Sequence, residues 1–534
     1  MKGSNGMFTK GSINWSEKAT IEKEEFPKDT LGRVKYAQFL TQFLVDQGYD
    51  SSRKEGEDKR NYVLNLNSEW GSGKTYFLKR WSDDLKPNFP VVYIDAWKQD
   101  YSDDPLMTVI SSVINQLREQ AGIYVKKSDF TIPNKVVGLL KAAAPALIKT
   151  FSKKYFGDED FIDLSDVAAD AVTHLIDEHE EKSQAISDLK DSVSEWVSFV
   201  TDNPKDKKQY PAFIFIDELD RCRPSYAVEM LETIKHIFDI KGIVFVVATD
   251  TEQLQHAVKA IYGEGFNARL YLGRFFNSRF TLKAPNLKDF LEVHVDHHKL
   301  SGEYLKKAEI SILPPNEDSK ITLRNIAVIL DAFNMPPRTA IQVTDRVIAT
   351  LSNMPKGSKI DLLMLTILLC FKEENHKRCI DIISNRLNYK SENGKIIGVD
   401  AYINQRFSNC TSTISMRFNP RDIHQKFKTT EGYTADNQYK EGVYQVTLFR
   451  YFECIFLVSL GSKKSISSDV IQDKLVKSTN TQRPNEVFES GILWLQAQYI
   501  KSRFNQIPKE TYQDYVELAS ALDWIDGDSG SDDL

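Results

Sequence analysis

Ser68-Glu69-Trp70-Gly71-Ser72-Gly73-Lys74-Thr75 stands between Tyr62-Val63-Leu64-Asn65-Leu66, which alternates as a strand does, and Tyr76-Phe77-Leu78-Lys79-Arg80-Trp81, which opens a helical pattern. A glycine-rich turn ending in Lys-Thr, entered from a strand and left by a helix, is the arrangement that wraps a nucleotide's phosphates. The glycines let backbone N–H groups face the phosphate, the helix N-terminus adds partial positive charge, and Lys74 reaches phosphate oxygens as a mobile cation. Thr75 then offers its hydroxyl to Mg2+. Trp70, Gly71, Ser72, Gly73, Lys74 and Thr75 are the loop's candidate nucleotide-binding residues. Ser68 occupies the place where this pattern usually opens with glycine, a change the turn tolerates if the φ of Ser68 stays negative.

Outward from the loop, strand-like runs recur at residues 91–94, 212–216, 243–248 and 280–282, each separated by helix-forming stretches. That alternation predicts an α/β fold built on a parallel, five-stranded, doubly wound sheet. Phe213-Ile214-Phe215-Ile216 runs straight into Asp217-Glu218, which is how a buried strand delivers two carboxylates to the sheet tip beside the phosphate loop. Asp217 is the candidate magnesium residue, and Glu218 the candidate base that orients and deprotonates the attacking water. The next strand ends in Thr249-Asp250. Two readings of that pair stay open: sensing the γ-phosphate, or Asp250 capping the following helix.

The chain has 534 residues, too many for one core, and its length alone suggests about three or four domains. Expected boundaries are a flexible tail (1–27), the first part of a P-loop core (28–104), a helical insertion (105–205), the second part of the core (206–300), a helical lid (301–355), a mostly α-helical C-terminal domain (356–525) and an acidic tail (526–534). A hydrophobic content of 41% and charged content of 27% are those of an ordinary globular protein, and a formal net charge of -6 argues against a dedicated nucleic-acid binder. Five cysteines without C-x-x-C spacing point to reduced thiols, and the polar N-terminus lacks a secretory core, so a cytoplasmic location is expected. The longest apolar stretches, 136–148 and 447–460, are too short to span a bilayer and carry charges, so no membrane association is expected.

Taken together, these motifs resemble the KAP family of P-loop ATPases, a branch of the additional-strand NTPases related to AAA+ and STAND proteins. The resemblance rests on Asp29-Thr30-Leu31-Gly32-Arg33, on Trp70 to Thr75, on Ile94-Asp95-Ala96-Trp97 with Asp95 in place of an asparagine, on Ile216-Asp217-Glu218-Leu219-Asp220-Arg221-Cys222, and on Pro337-Arg338. It covers about residues 29 to 350 and implies ATP and Mg2+ as cofactors. Asp29 and Arg33 are then expected near the nucleotide base, and Arg338 is expected to sense the γ-phosphate from the lid. Many family members carry transmembrane helices in the insertion; this chain is similar to the soluble branch. Similar soluble members occur in bacterial anti-phage defence operons, which implies partner proteins encoded alongside.

Hydrolysis at a subunit interface calls for an arginine from the neighbour, which implies a homo-oligomer. Arg274 is the first candidate and Arg279 stands close behind it, while Arg221 is read as structural. His294, His297 and His298 with Asp296 share helical spacing, but no Glu-x-x-His or cysteine partner supports a metal site. Residues 356–428 hold 13 Lys or Arg against 7 acids, interleaved with Tyr389, Tyr402, Phe407 and Phe418, a modest basis for nucleic-acid binding. Three functional readings remain: an ATPase that drives assembly or conformational change, a nucleotide-gated scaffold or switch with incidental hydrolysis, and a nucleic-acid-remodelling ATPase.

Overall fold

The computed structural model describes residues 13–48, 61–122, 130, 179–203, 207–236, 239–418 and 442–521, less positions 103, 392, 466, 468, 472, 473 and 475–483. The middle of the expected insertion, residues 1–12 and the acidic tail lie outside the described residues. Two compact units divide the chain, Met1–Ala284 and Pro285–Leu534.

The first unit is built on five parallel strands: β3 (Asn61–Asn67), β4 (Val91–Asp95), β5 (Ala212–Asp217), β6 (Ile243–Thr249) and β7 (Ser278–Thr281). They lie in the order β4-β5-β6-β3-β7. β6 therefore separates the strand that leads into the phosphate loop from the strand that carries the acids. β5 and β6 are buried at every position, as central parallel strands covered on both faces are. Period-two alternation sends Tyr62, Leu64, Leu66, Phe213, Phe215, Val244 and Val246 to one core, where helices α1 (Val34–Gly48) and α2 (Lys74–Leu85) pack. Val63, Ile214, Ile216, Phe245 and Val247 enter the opposite core, with the helices Pro105–Ala121 and Pro224–His236.

β4 is an edge strand, and its free peptide groups find an unusual partner. From the helix Pro105–Ala121, the Gln116 side chain accepts from Tyr93 N at 2.8 Å and donates to Tyr93 O at 2.8 Å. One turn later Gln120 accepts from Val91 N at 3.1 Å and donates to Val91 O at 2.6 Å. Two side-chain amides thus stand in for a missing strand and blunt the edge.

The flexible tail expected over residues 1–27 is corrected by the described part of it. Residues 13–27 are ordered, with a hairpin of β1 (Ala19–Ile21) and β2 (Glu24–Phe26), and Trp15 is 1% exposed. Its indole sits edge-on to Phe77 at 5.5 Å, donates its N–H to Asp84, and lies beneath the Arg80 guanidinium at 5.5 Å. Tyr76 and Arg80 bind back to Pro27 O at 2.8 and 3.0 Å. Polar composition concealed this because the anchors, Ile13, Trp15, Ile21 and Phe26, are scattered singly among polar residues, and all four are buried. The hairpin braces α2, whose first residue is Lys74.

The second unit is largely helical, and residues expected as lid and as C-terminal domain share it. Strand Ser311–Leu313 pairs in parallel with Lys359–Asp361, and the Asn325 side chain donates to Ser415 O at 2.6 Å and accepts from Ser415 N at 2.7 Å. These links cross the expected boundary at 355. Among the aromatics of the basic stretch, Tyr402 and Phe407 are buried and Tyr389 is half-buried, with Arg378 over Tyr389 and Tyr402 and Arg406 over Phe407; the side chain of Phe418 lies outside the described residues. All five cysteines are free thiols, and among the described residues no helix is long and apolar enough to cross a membrane.

Asp361 is buried in this unit, 1% exposed, capping the buried helix Leu362–Glu374 through Leu363 N and Met364 N at 3.1 and 3.2 Å. Tyr451 Oη donates to its other oxygen at 2.7 Å. Burial pushes its carboxyl up from the ordinary 3.8 to about 7, against the opposing pull of these hydrogen bonds. The folded state therefore holds this proton more tightly than the unfolded chain. The resulting stability is present below the unfolded value and is lost as pH rises from about 4 through about 7, on the order of 4 kcal/mol over the full span. Denaturant titrations at pH 5 and pH 7.5 should show Asp361→Asn flattening the decline; an unchanged slope would remove Asp361 as its source.

Candidate functional site

The phosphate loop is shaped by its glycines. Gly71 and Gly73 have φ of 77° and 85°, values that side-chain-bearing residues resist, while Ser68 is not among the positive-φ residues. The condition for replacing the opening glycine is met. Ser68 is buried, with its N–H on Thr249 O at 3.1 Å and its hydroxyl on Leu282 O at 3.2 Å, so the loop is tied to β6 and to the segment after β7. Gly73 ends the turn and Lys74 begins α2.

Four of the expected residues converge. Lys74 Nζ donates to Ser68 O at 2.9 Å, and Thr75 Oγ1 donates to Glu218 Oε1 at 2.9 Å. Asp217, the last residue of β5, is fully buried and accepts from Tyr93 Oη at 2.7 Å and from Glu218 N at 2.9 Å. Burial, and then the neighbouring Glu218 charge, push the Asp217 carboxyl up to about 6, partly countered by the Tyr93 hydroxyl. Glu218 takes a left-handed backbone with φ 58°, a strained conformation that side chains at functional sites often hold. Its second oxygen receives Arg221 Nε at 2.6 Å, and that guanidinium lies 5.3 Å from the centre of the Trp97 ring.

Arg33 comes to the same loop from the turn that leads into α1. It is 3% exposed, with Nη1 3.5 Å from Gly73 O, and a Cβ placed on Gly73 would stand 3.4 Å from that nitrogen. Asp29 caps the start of α1, accepting from Leu31 N at 3.0 Å and Val34 N at 2.8 Å. It thereby fixes the turn that presents Arg33. Among the described residues, Arg33 Nη2 and Asp220 Oδ1 are buried and have no hydrogen-bond partner. A buried donor and a buried acceptor left over beside a glycine cradle are what a polar ligand would satisfy.

The remaining candidates lie elsewhere. Asp250 accepts from Glu252 N and Gln253 N at 3.1 and 3.4 Å, so it caps its helix, and Thr249 is buried against Asn65 Nδ2 at 2.8 Å. Asp95 caps the short helix Ala96–Gln99 through Lys98 N at 3.1 Å. Arg274 is exposed after the helix Ala268–Leu272, and Arg279 is exposed on β7. Arg338 belongs to the second unit, in the first turn of the helix Pro337–Asn353.

Two residues of the site escaped the motif reading. Tyr93 looked like any aromatic strand residue; its place on β4, where Asp95 pairs in register with Asp217, brings its hydroxyl to the acid. Asp220 was noticed only within a motif. It accepts from Trp70 Nε1 at 2.5 Å and lies 3.4 Å from Lys74 Nζ.

Among solved structures, the chain is similar to the Aeropyrum pernix ORC2 protein in its ADPNP-ADP complexes, with 12% identity, 86% of this chain and 94% of that chain covered, and a TM-score of 0.29. No curated protein matches the sequence. The model of the KAP family P-loop domain matches residues 34–354, which spans α1, the phosphate loop, both acids and Arg338. This chain belongs to the KAP family of P-loop NTPases.

Proposed function

We propose that this chain binds Mg-ATP and hydrolyses it to drive assembly or conformational change. The observation that carries the reading is the meeting of Lys74, Thr75, Asp217 and Glu218 at one edge of one sheet, beside the unsatisfied Arg33 Nη2 and Asp220 Oδ1. Hard oxygen donors suit magnesium, and Thr75 with Asp217 supply a hydroxyl and a carboxylate for it. Magnesium, when bound, neutralises charge on the phosphates. Lys74 and the glycine-presented N–H groups hold the phosphate chain, Arg33 adds a buried cation behind Gly73, and Glu218 orients water and takes its proton. Asp217 stays a ligand rather than a base because Tyr93 occupies one of its oxygens.

Arg338 is proposed as the sensor of nucleotide from the second unit, and Arg274 as the residue a neighbouring copy contributes in a homo-oligomer. Asp29 serves the site through Arg33. A cytoplasmic role in anti-phage defence with operon-encoded partners is supported by the resemblance to soluble family members.

Titration of a fluorescent ATP analogue tests the core of this reading. Lys74→Ala should weaken binding by at least on the order of tenfold, since it removes the cation that pairs with the phosphates. Equal binding by both proteins would take the nucleotide away from this loop.

A further inference from the structure

The residue facing the loop's lysine is itself an anion. Asp220 lies on the short turn Leu219–Arg221, and its side chain is fully buried. One oxygen lies 3.4 Å from Lys74 Nζ and takes the Trp70 indole N–H at 2.5 Å; the other is buried with no hydrogen-bond partner among the described residues. Lys74 is 6% exposed, so this is a buried ion pair, whose desolvation is costly unless every lone pair is satisfied. One lone-pair set here is not. Trp70 is a loop residue 42% exposed, so the indole closing over the carboxylate has solvent on its other side and room to leave.

The same turn holds the loop a second time. Glu218, one residue before it, accepts the Thr75 hydroxyl, and Arg221, its last residue, clamps Glu218. Both groups that should receive a nucleotide, the Lys74 cation and the Thr75 hydroxyl, are thus engaged by carboxylates of one continuous segment. A carboxylate on Lys74 matches a phosphate oxygen in charge sign and in acceptor chemistry, but carries less charge and has an unsatisfied partner oxygen. The exchange favours the phosphate chain.

We propose that Asp220, held by Trp70, is an internal competitor that occupies Lys74 until the triphosphate of a nucleotide displaces it, and so sets the affinity of the loop for nucleotide. This rests on the nucleotide-binding reading above. A latch closed about nine-tenths of the time lowers apparent affinity about tenfold, because only the open fraction binds. The opposite role, a carboxylate that merely braces the loop, predicts the opposite sign on removal.

The test is titration of the full chain with a fluorescent ATP analogue, with and without Mg2+. Asp220→Asn keeps the shape and removes the competing charge; its Kd should fall about tenfold, most clearly without Mg2+. Trp70→Phe, at an exposed position, keeps an aromatic side chain but loses the indole's five-membered ring with its N–H donor, and its Kd should fall by a smaller factor. An unchanged or higher Kd in Asp220→Asn overturns the latch, and the same result in Trp70→Phe overturns it where Asp220→Asn does not fold. Lys74→Ala separates the two levels. Lys74-dependent binding that Asp220→Asn leaves unchanged sinks the latch alone, whereas Lys74-independent binding in the parent protein sinks the loop assignment and the latch with it.

Discussion

Glu218→Gln should bind ATP with affinity close to that of the parent protein and lose turnover by a factor on the order of 10²–10⁴, the usual contribution of a positioned general base. The substitution keeps the size of the side chain and one acceptor oxygen. Thr75 can still donate to it, so the loop's geometry has no reason to change. What disappears is the carboxylate's basicity, needed only when water attacks, so the loss belongs in kcat rather than in binding. Arg221 also loses its ionic partner, in a pair only 28% and 16% exposed, so the nucleotide titration also serves to show whether the turn has moved. Steady-state phosphate release beside nucleotide titration separates the outcomes. Partner binding that depends on ATP yet persists in Glu218→Gln would favour a nucleotide-gated switch with incidental hydrolysis, and full turnover in this variant would end the base assignment.

Arg274→Ala should bind nucleotide normally and lose turnover by a factor on the order of 10³–10⁵ if its guanidinium completes a neighbour's site. Exposure is what a residue acting in trans requires, and Arg274 is exposed while lying in the same unit as the phosphate loop. Mixing provides the decisive version. Lys74→Ala protein has a damaged loop and an intact arginine, Arg274→Ala has the reverse, and each alone should be nearly inactive. Together, mixed oligomers place an intact loop beside an intact arginine, so activity should return to a fraction of the parent value. No recovery in the mixture, or full turnover by Arg274→Ala alone, would remove the trans role; Arg279→Ala in the same experiment tests its near neighbour on β7.

The loop and its acids were readable because each is a local pattern. Gly71 and Gly73 mark positive φ, Lys74 follows at a helix start, and four apolar residues before Asp217 mark a buried strand that ends in an acid. All five strands were visible as alternating or continuous apolar runs. Trp15 escaped because it and the buried Ile13, Ile21 and Phe26 are scattered through a polar segment, and Gln116 and Gln120 because glutamine on a helix ordinarily faces water. Tyr93 and Asp220 escaped for another reason: a hydroxyl or carboxylate has no periodic signature, and its function depends on what lies across the sheet. Thr249-Asp250 was legible only as a pair of alternatives, of which the structure shows the cap at Glu252 N and Gln253 N.

Consecutive residues alone determined a parallel α/β core with a phosphate-wrapping turn, two acids at a strand tip and membership in a family of P-loop proteins, since glycine φ preference, strand alternation and helix starts act over a few positions. Tertiary structure decided that β6 lies between the loop strand and the acid strand, that the N-terminal hairpin braces α2, and that Lys74 faces Asp220, 146 positions away in the chain. Those outcomes depend on burying two apolar faces at once and on pairing the polar groups that burial strands, a condition that distant segments satisfy jointly.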